Sequence, residues 1–162
     1  MRQFFPPGVI AFLGVLGIAA GSVQVEQAVV KVRKQDPREV FLRKFLKDKG
    51  CPAQDFAEVF VAEADRHGLD WRLLPSLAFV ESGGGKTSKG NNIFGWDNGR
   101  SSYISVHQAI HEVASSLSEA RAYQGRSLLG KLASYNQSVD YAPMVLDVMR
   151  QIYPRPLVAN AR

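Results

Sequence analysis

The sequence predicts one mainly α-helical domain with a single small β-hairpin, and three observations support this prediction. Apolar residues recur at helical spacing in most segments after residue 36, and residues that favour helix ends stand at the segment boundaries. A glycine-rich stretch and the pair Asn98-Gly99, a strong hairpin-turn signal, lie between the helical segments. The length of 162 residues, of which 46% are hydrophobic, suits one compact core.

Three helices are expected in the first half of the domain. The first covers residues 37–50, with Asp36 as its N-cap, a proline in the first helical position and a closing glycine. The second covers residues 52–68 and also ends at a glycine. The third covers residues 71–82, follows Asp70 as its cap and is almost wholly apolar, which predicts a buried helix.

The middle of the chain differs in character from the helices around it. Residues 83–90 (GGGKTSKG) are too rich in glycine for a regular element and predict a loop. Apolar and aromatic residues flank the Asn98-Gly99 pair, so residues 93–104 are expected to form the hairpin.

Three more helices are expected after the hairpin. Ser105 and Gln108 have the spacing of a capping box at the start of a long amphipathic helix. A shorter helix is expected from about Ser127, and Asp140 is expected to cap the last one, which Pro154 ends.

The N-terminus predicts export from the cytoplasm. The apolar run from Val9 to Ala20 has 12 residues, about 18 Å of helix, which is short for a hydrocarbon core of ~30 Å. Residues 1–21 are therefore expected to be a signal peptide, with an uncleaved membrane anchor as the alternative. Residues 22–35 would then be a linker, 36–153 the domain and 154–162 a C-terminal tail.

Charge and cysteine content limit the classes of partner. The net charge of +5 and a pI of about 9.5 favour acidic polymers, either nucleic acid or an anionic cell envelope. Lysine and arginine are scattered and are not interleaved with aromatic residues, so no nucleic-acid partner is expected. The single cysteine, Cys51, excludes an intrachain disulfide.

Glu81 is the residue most indicative of chemistry. It lies in the last turn of the apolar third helix, immediately before the glycine-rich loop. A carboxyl group removed from water and from charge partners favours its protonated form, as a general acid requires. The alternative is an exposed carboxylate at the helix C-terminus, which the helix dipole disfavours. The glycines after it would let a polymer approach closely.

Three short motifs, in order along the chain, resemble those of lysozyme-like glycan-cleaving enzymes. Glu81-Ser82-Gly83 is similar to the catalytic motif of bacterial lytic transglycosylases and of flagellar-type glucosaminidases. The sequence NNIFG at residues 91–95 resembles the glucosaminidases in particular. Ser134-Tyr135-Asn136, with Tyr141 shortly after, resembles the Ala-Tyr-Asn signature of the transglycosylases.

The resemblance implies a lysozyme-like helical domain that cleaves the MurNAc–GlcNAc backbone of peptidoglycan, with the hairpin beside its substrate groove and no cofactor. It implies that Glu81 protonates the glycosidic oxygen and that Tyr135, close by, helps to hold the cleaving geometry. Ser82 would orient the carboxyl group or bind the adjacent sugar. The other matched residues would bind the glycan: Asn92, Phe94, Gly95 and Asn136.

The outcome of the reaction depends on a second carboxylate. Asp97 is the candidate by position, although it is better explained as a turn residue beside Asn98-Gly99. Without it, the substrate's own N-acetyl or 6-hydroxyl group could attack the anomeric carbon and leave a 1,6-anhydro product. This lytic transglycosylase outcome is the expectation, with hydrolysis as the alternative. Trp96 could stack on a sugar ring or pack in the core.

Other interpretations of the sequence are weaker. Gly85-Lys86-Thr87 lacks the earlier glycine of a phosphate-binding loop and follows a helix, which argues against nucleotide binding. His107 and His111 have the spacing of a metal-binding pair, but His67, the third histidine, is distant in sequence, so no metal site is expected. A non-catalytic envelope module that binds glycan or an unidentified assembly partner is the alternative to an enzyme.

Overall fold

The computed structural model describes residues 35–154, which form six α-helices and one short 3₁₀ helix. The prediction of a mainly helical domain is confirmed. The expected signal peptide or anchor, nearly all of the linker and the tail beyond Pro154 lie outside the described residues. Within residues 35–154, no helix has the length and apolar character needed to cross a membrane. The α-helices are α1 (Pro37–Asp48), α2 (Ala57–Arg66), α3 (Leu73–Ser82), α4 (Val106–Glu119), α5 (Leu128–Tyr135) and α6 (Tyr141–Ile152).

Two of the predicted helix caps, Asp36 and Ser105, form as expected, and Ser127 is a further cap. The side chains of these three residues accept hydrogen bonds from backbone N–H groups in the first turns of α1, α4 and α5. Asp140 does precede α6, but its side chain makes no capping hydrogen bond, so that part of the prediction is wrong. Its backbone adopts a helical conformation, with ψ −11°, instead of the extended conformation of the three that do cap.

The second and third helices begin later than the sequence predicts. Residues Pro52–Phe56 form a 3₁₀ helix before α2 starts at Ala57. The Ala53 N–H donates to the carbonyl of Gly84 at 3.0 Å, so a tertiary contact holds this first turn. Asp70 accepts a hydrogen bond from the Arg72 N–H at 2.9 Å, and the regular helix α3 begins only at Leu73.

The predicted hairpin is not confirmed, because residues 93–104 contain no β-strand. The tight turn forms, with left-handed backbone at Asp97 and Asn98. Side-chain amides, instead of paired backbone groups, hold the returning chain. Asn91 donates to the carbonyl of Tyr103 at 2.8 Å, and Asn92 donates to that of Ser101 at 2.9 Å. The Asn98-Gly99 pair therefore forms its tight turn although the residues on either side do not pair as β-strands.

Helix α3 occupies the centre of the described domain, where it contacts both α2 and α6. Its four residues Leu73, Leu74, Leu77 and Ala78 are each at most 2% exposed. Helix α4 packs against α2, and α5 packs against α6. The C-terminal end of α3 consequently faces the region where α5 and α6 meet, and this packing positions the candidate site.

Candidate active site

Glu81 projects from the final turn of the central helix. The helix ends because Gly83 adopts a left-handed conformation with φ +61°. The N–H groups of Gly83 and Gly84 then donate to the carbonyls of Phe79 and Ala78, at 2.9 and 3.0 Å, which closes the helix. The Glu81 side chain therefore stands at the C-terminal, negative end of the helix dipole.

Glu81 lines a surface cavity of about 580 Å³, which we call the Glu81 cavity. Six of the predicted site residues meet there: Glu81, Gly95, Trp96, Asp97, Tyr135 and Asn136. Three further residues that the sequence analysis did not select complete the lining: Asn98, Ser101 and Tyr123. Aromatic rings, amides and hydroxyl groups therefore line the cavity beside the Glu81 carboxyl group.

The hydroxyl that contacts Glu81 belongs to Tyr141, at the start of α6. It donates to Glu81 Oε1 at 2.6 Å. Burial, then the neighbouring Tyr135 and the bond to Glu81 itself, raise the pKa of Tyr141 far above the usual tyrosine range. Tyr141 is therefore a neutral phenol that acts as a hydrogen-bond donor to the carboxyl group.

The second oxygen of Glu81 lies on the Gly95 side of the cavity. A Cβ atom added to Gly95 would lie 3.0 Å from Glu81 Oε2, so glycine is required for this approach. Gly95 also has φ +59°, which disfavours other residues. Among the described residues, no side chain or N–H group donates to Oε2. Tyr141 donates to Oε1, so Oε2 is the Glu81 oxygen that is left for a ligand on the Gly95 side.

Tyr135 lies on the Glu81 cavity, but its hydroxyl does not bind the carboxyl group. Its hydroxyl donates to the carbonyl of Phe94 at 2.7 Å, not to Glu81. Its ring stacks on that of Tyr141, with 5.7 Å between centroids and 10° between planes. Burial, and then the charge of Glu81, raise the pKa of Tyr135 well above its usual value, so this phenol is also neutral. Tyr135 thus positions Tyr141 and the Phe94 segment.

Tyr141 could have been found from the sequence only in part. It follows the Tyr135-Asn136 motif by a few residues, but nothing local indicates which tyrosine faces the acid. The contact joins positions 60 residues apart, so it depends on how α6 packs against α3.

Trp96 and Tyr123 form the aromatic wall of the Glu81 cavity. The Trp96 ring lies 6.1 Å from that of Tyr123 and 5.4 Å from that of Tyr135, edge-on to the latter. Lys131 Nζ donates to the Tyr123 carbonyl at 2.9 Å and fixes the turn that carries this ring. Burial lowers the pKa of Lys131 and raises that of Tyr123. No signal in the sequence marked Tyr123, because it lies in a turn outside any motif.

Ser82 does not reach the Glu81 cavity, which corrects the expectation that it binds sugar or orients the carboxyl group. It is 4% exposed. Its hydroxyl donates to the carbonyl of Ile93 at 2.6 Å and accepts from the N–H of Gly85 at 2.9 Å. Ser82 therefore ties Gly85, within the glycine-rich loop, and Ile93, shortly after it, to the end of α3.

Asn92 and Phe94 also lie behind the cavity and do not line it. Asn92 is 5% exposed, and its side-chain amide pairs with both backbone groups of Trp96, at 3.0 and 3.1 Å. The Phe94 ring is fully buried and packs edge-on against Phe60. Both residues support the wall of the cavity from inside the protein.

Asp97 lies at the rim of the Glu81 cavity. Its Oδ1 atom accepts from Arg100 Nη2 at 2.6 Å in an exposed ion pair. Its left-handed backbone, φ 54°, belongs to the turn. Glu81 and Asp97 are the two carboxylates on the lining of this cavity among the described residues.

Replacing Ser82 with alanine is expected to destabilise the domain by ~1–3 kcal/mol, because the Gly85 N–H and the Ile93 carbonyl lose their partner away from water. Chemical denaturation would measure the free energy of unfolding. The exposed Ser138→Ala serves as the control, with an expected change below ~0.5 kcal/mol. Equal stability of the two variants would contradict the role given to Ser82.

The comparison of the chain with models of protein families and with curated proteins finds no match.

Proposed function

We propose that this protein cleaves the MurNAc–GlcNAc backbone of peptidoglycan as a lytic transglycosylase of lysozyme-like fold, with Glu81 as general acid and base. One observation carries the proposal. Glu81 ends a buried helix with one oxygen held by the neutral hydroxyl of Tyr141 and the other on the Gly95 side of an aromatic-walled cavity. A carboxyl group held in this way at the wall of a cavity can reach the leaving oxygen of a bound polymer, as a general acid must.

The lining of the Glu81 cavity supports a carbohydrate substrate. Sugar rings present apolar faces and hydroxyl groups at their rims, and the rings of Trp96 and Tyr123 offer complementary faces. The amides of Asn98 and Asn136 can pair with hydroxyl or N-acetyl groups. The cavity volume of about 580 Å³ lies within the ~300–1,000 Å³ usual for ligand sites.

The reaction needs only one carboxyl group from the protein. Glu81 gives its proton to the glycosidic oxygen, the bond from that oxygen to the anomeric carbon breaks, and the leaving sugar departs with a hydroxyl group. The 6-hydroxyl of the muramic acid residue then attacks the anomeric carbon. Its proton passes to the Glu81 carboxylate, which restores the acid and yields a 1,6-anhydro end. Tyr141 holds Glu81 in place for both proton transfers.

Hydrolysis by an N-acetylglucosaminidase or muramidase mechanism is the second candidate. Asp97 favours it, because this residue supplies another carboxylate on the same cavity. A retaining enzyme needs its two carboxyl groups ~5–5.5 Å apart and an inverting enzyme ~6.5–9.5 Å apart. The ion pair between Asp97 and Arg100 opposes this role, since it holds the carboxylate on the turn.

The proposed substrate lies outside the cytoplasm, so the proposal includes export to the cell envelope. The apolar run at residues 9–20 supports export, as does a net charge of +5 that suits an anionic envelope. A membrane tether through the same segment would also hold the domain near the wall.

The test is incubation of purified cell wall with the native protein. Zymography detects clearing of the wall, and mass spectrometry identifies the released fragments. A cleared band and fragments with 1,6-anhydromuramic ends are expected. Fragments with only reducing ends would replace transglycosylation with hydrolysis. Binding to the wall without any clearing would favour the non-catalytic envelope module and would contradict the proposed enzyme.

A further inference from the structure

A second cluster of polar side chains lies between α2 and α4, among residues that do not line the Glu81 cavity. It consists of Glu63, His67 and His111, which we call the Glu63 cluster. One ligand-type atom from each residue lies within 4.8 Å of the other two. Glu63 is 3% exposed, although it is a charged residue in a helix facing the core. A buried carboxylate needs a compensating charge or hydrogen bonds.

The histidine at the end of α2 has an unpaired nitrogen. The His67 side chain is 9% exposed, and its Nε2 atom is buried without a hydrogen-bond partner. Nε2 lies 3.5 Å from Glu63 Oε2, which is too long for a good hydrogen bond. His67 Nε2 and Glu63 Oε2 therefore lie side by side without a hydrogen bond between them.

The other nitrogen of His67 determines its tautomer. Nδ1 lies 3.1 Å from Ser118 Oγ and 3.4 Å from Glu119 Oε1. We assign the Ser118 hydroxyl hydrogen to a backbone carbonyl, that of Ser115 at 2.9 Å or Ala114 at 3.2 Å. With this assignment the Ser118 oxygen accepts from Nδ1–H, and the lone pair of the His67 ring is on Nε2, on the side of Glu63. Support of one ring nitrogen by such acceptors is typical of metal-binding histidines.

His111 completes the group from the neighbouring helix. Its Nδ1 atom lies 2.9 Å from the same Glu63 Oε2, and its side chain is 45% exposed. The two imidazole rings are 5.8 Å apart between centroids. Bonds of ~2.0–2.1 Å to a tetrahedral zinc ion imply ~3.3 Å between neighbouring ligand atoms. The separations of 2.9 and 3.5 Å at Glu63 Oε2 lie close to that value.

We propose that Glu63, His67 and His111 bind one Zn²⁺ ion, which links α2 to α4. Two histidines and a carboxylate form a ligand set typical of zinc, with a fourth position left for water. A cavity of about 550 Å³, also lined by Arg66, His107 and Gln108, gives solvent access to the Glu63 cluster. Arg66 lies 3.7 Å from the other carboxylate oxygen, Oε1, and so leaves Oε2 to the ion. This site goes beyond the proposed function, since it needs no catalytic activity.

The sequence could not indicate this site. His67 and His111 are distant in the chain, and Glu63 continues the apolar spacing of its helix. Local spacing points instead to His107 and His111, four residues apart on the exposed face of α4. The pair His67–His111 and the pair His107–His111 predict different effects on Zn²⁺ binding when His67 or His107 is replaced.

The test is titration of the full-length protein with ZnCl₂ after removal of metal by a chelator, followed by calorimetry and thermal denaturation. One Zn²⁺ per chain and a rise in Tm of at least about 5 °C are expected at ~100 times the Kd. Absence of a zinc-dependent rise would overturn the proposal. Both readouts are independent of peptidoglycan cleavage, so this result does not depend on the proposed enzyme.

Variants of all three histidines of the chain decide which of them bind the ion. His111→Ala and His67→Asn are expected to weaken Zn²⁺ binding at least ~10-fold and to abolish the rise in Tm. His107→Ala, in the same helix and on the same cavity, is expected to retain both. Loss of binding in His107→Ala together with retention in His67→Asn would overturn the Glu63 cluster in favour of the surface pair. If His67→Asn fails to fold, as circular dichroism would show, His107→Ala alone decides.

Discussion

Replacing Glu81 with glutamine is expected to lower the rate of peptidoglycan cleavage by ~10²–10⁴-fold, the usual contribution of a general acid. The amide has the shape of the carboxyl group and can still accept the hydrogen bond from Tyr141. It has no acidic proton to give to the leaving oxygen and cannot take one back. Folding should therefore be preserved while the chemical step is lost. The measurement is the initial rate of soluble-fragment release from purified cell wall, with Tm recorded for each protein.

The matched control for this variant is Glu112→Gln. Glu112 is an exposed carboxylate on α4, so the substitution makes the same change in charge and shape away from the Glu81 cavity. Its rate should equal that of the native protein. Equal rates for native protein and Glu81→Gln would remove Glu81 from the mechanism, even if cleavage itself were observed.

Replacing Tyr141 with phenylalanine is expected to lower kcat by ~10–10²-fold. A hydrogen bond to a charged or charge-developing group contributes ~1.5–3 kcal/mol, and losing that energy in the transition state lowers the rate by ~10–10²-fold. The phenyl ring keeps the stack on Tyr135 and the packing of α6, so only the donor to Glu81 Oε1 is removed. Without this donor, the carboxyl group of Glu81 is free to rotate away from the position in which Oε2 faces the Gly95 side. KM should change little, because substrate contacts are retained.

Tyr135→Phe is the control that separates the two tyrosines. It removes the hydroxyl that donates to the Phe94 carbonyl but leaves the bond between Tyr141 and Glu81 intact. We expect it to lower the free energy of unfolding by ~0.5–1.5 kcal/mol and kcat by less than Tyr141→Phe does. If Tyr135→Phe lowered kcat more than Tyr141→Phe, the motif tyrosine would be the functional one and our assignment would be wrong.

Much of the candidate site could be predicted because its central feature is local. An apolar helix that ends in a carboxyl group and glycines places Glu81 at the end of α3, and the glycines do end the helix there. Motif membership was a poorer guide to individual roles. Ser82 and Asn92 are polar residues of the expected motifs, yet both are buried and bind backbone groups. A polar side chain in a motif can bind substrate or can bind the backbone of a loop, and only its burial in the fold distinguishes the two roles.

The sequence by itself determined the helices, the caps Asp36 and Ser105 and the position of Glu81, because these depend on hydrogen bonds and side-chain patterns within a few residues. Only the tertiary structure decided that Tyr141 instead of Tyr135 donates to Glu81, and that residues 93–104 form a turn held by asparagine side chains and no hairpin. It also decided that His67 meets His111 beside Glu63. These contacts join residues far apart in the chain, and the packing of α3 against α6, and of α2 against α4, sets which side chains face each other.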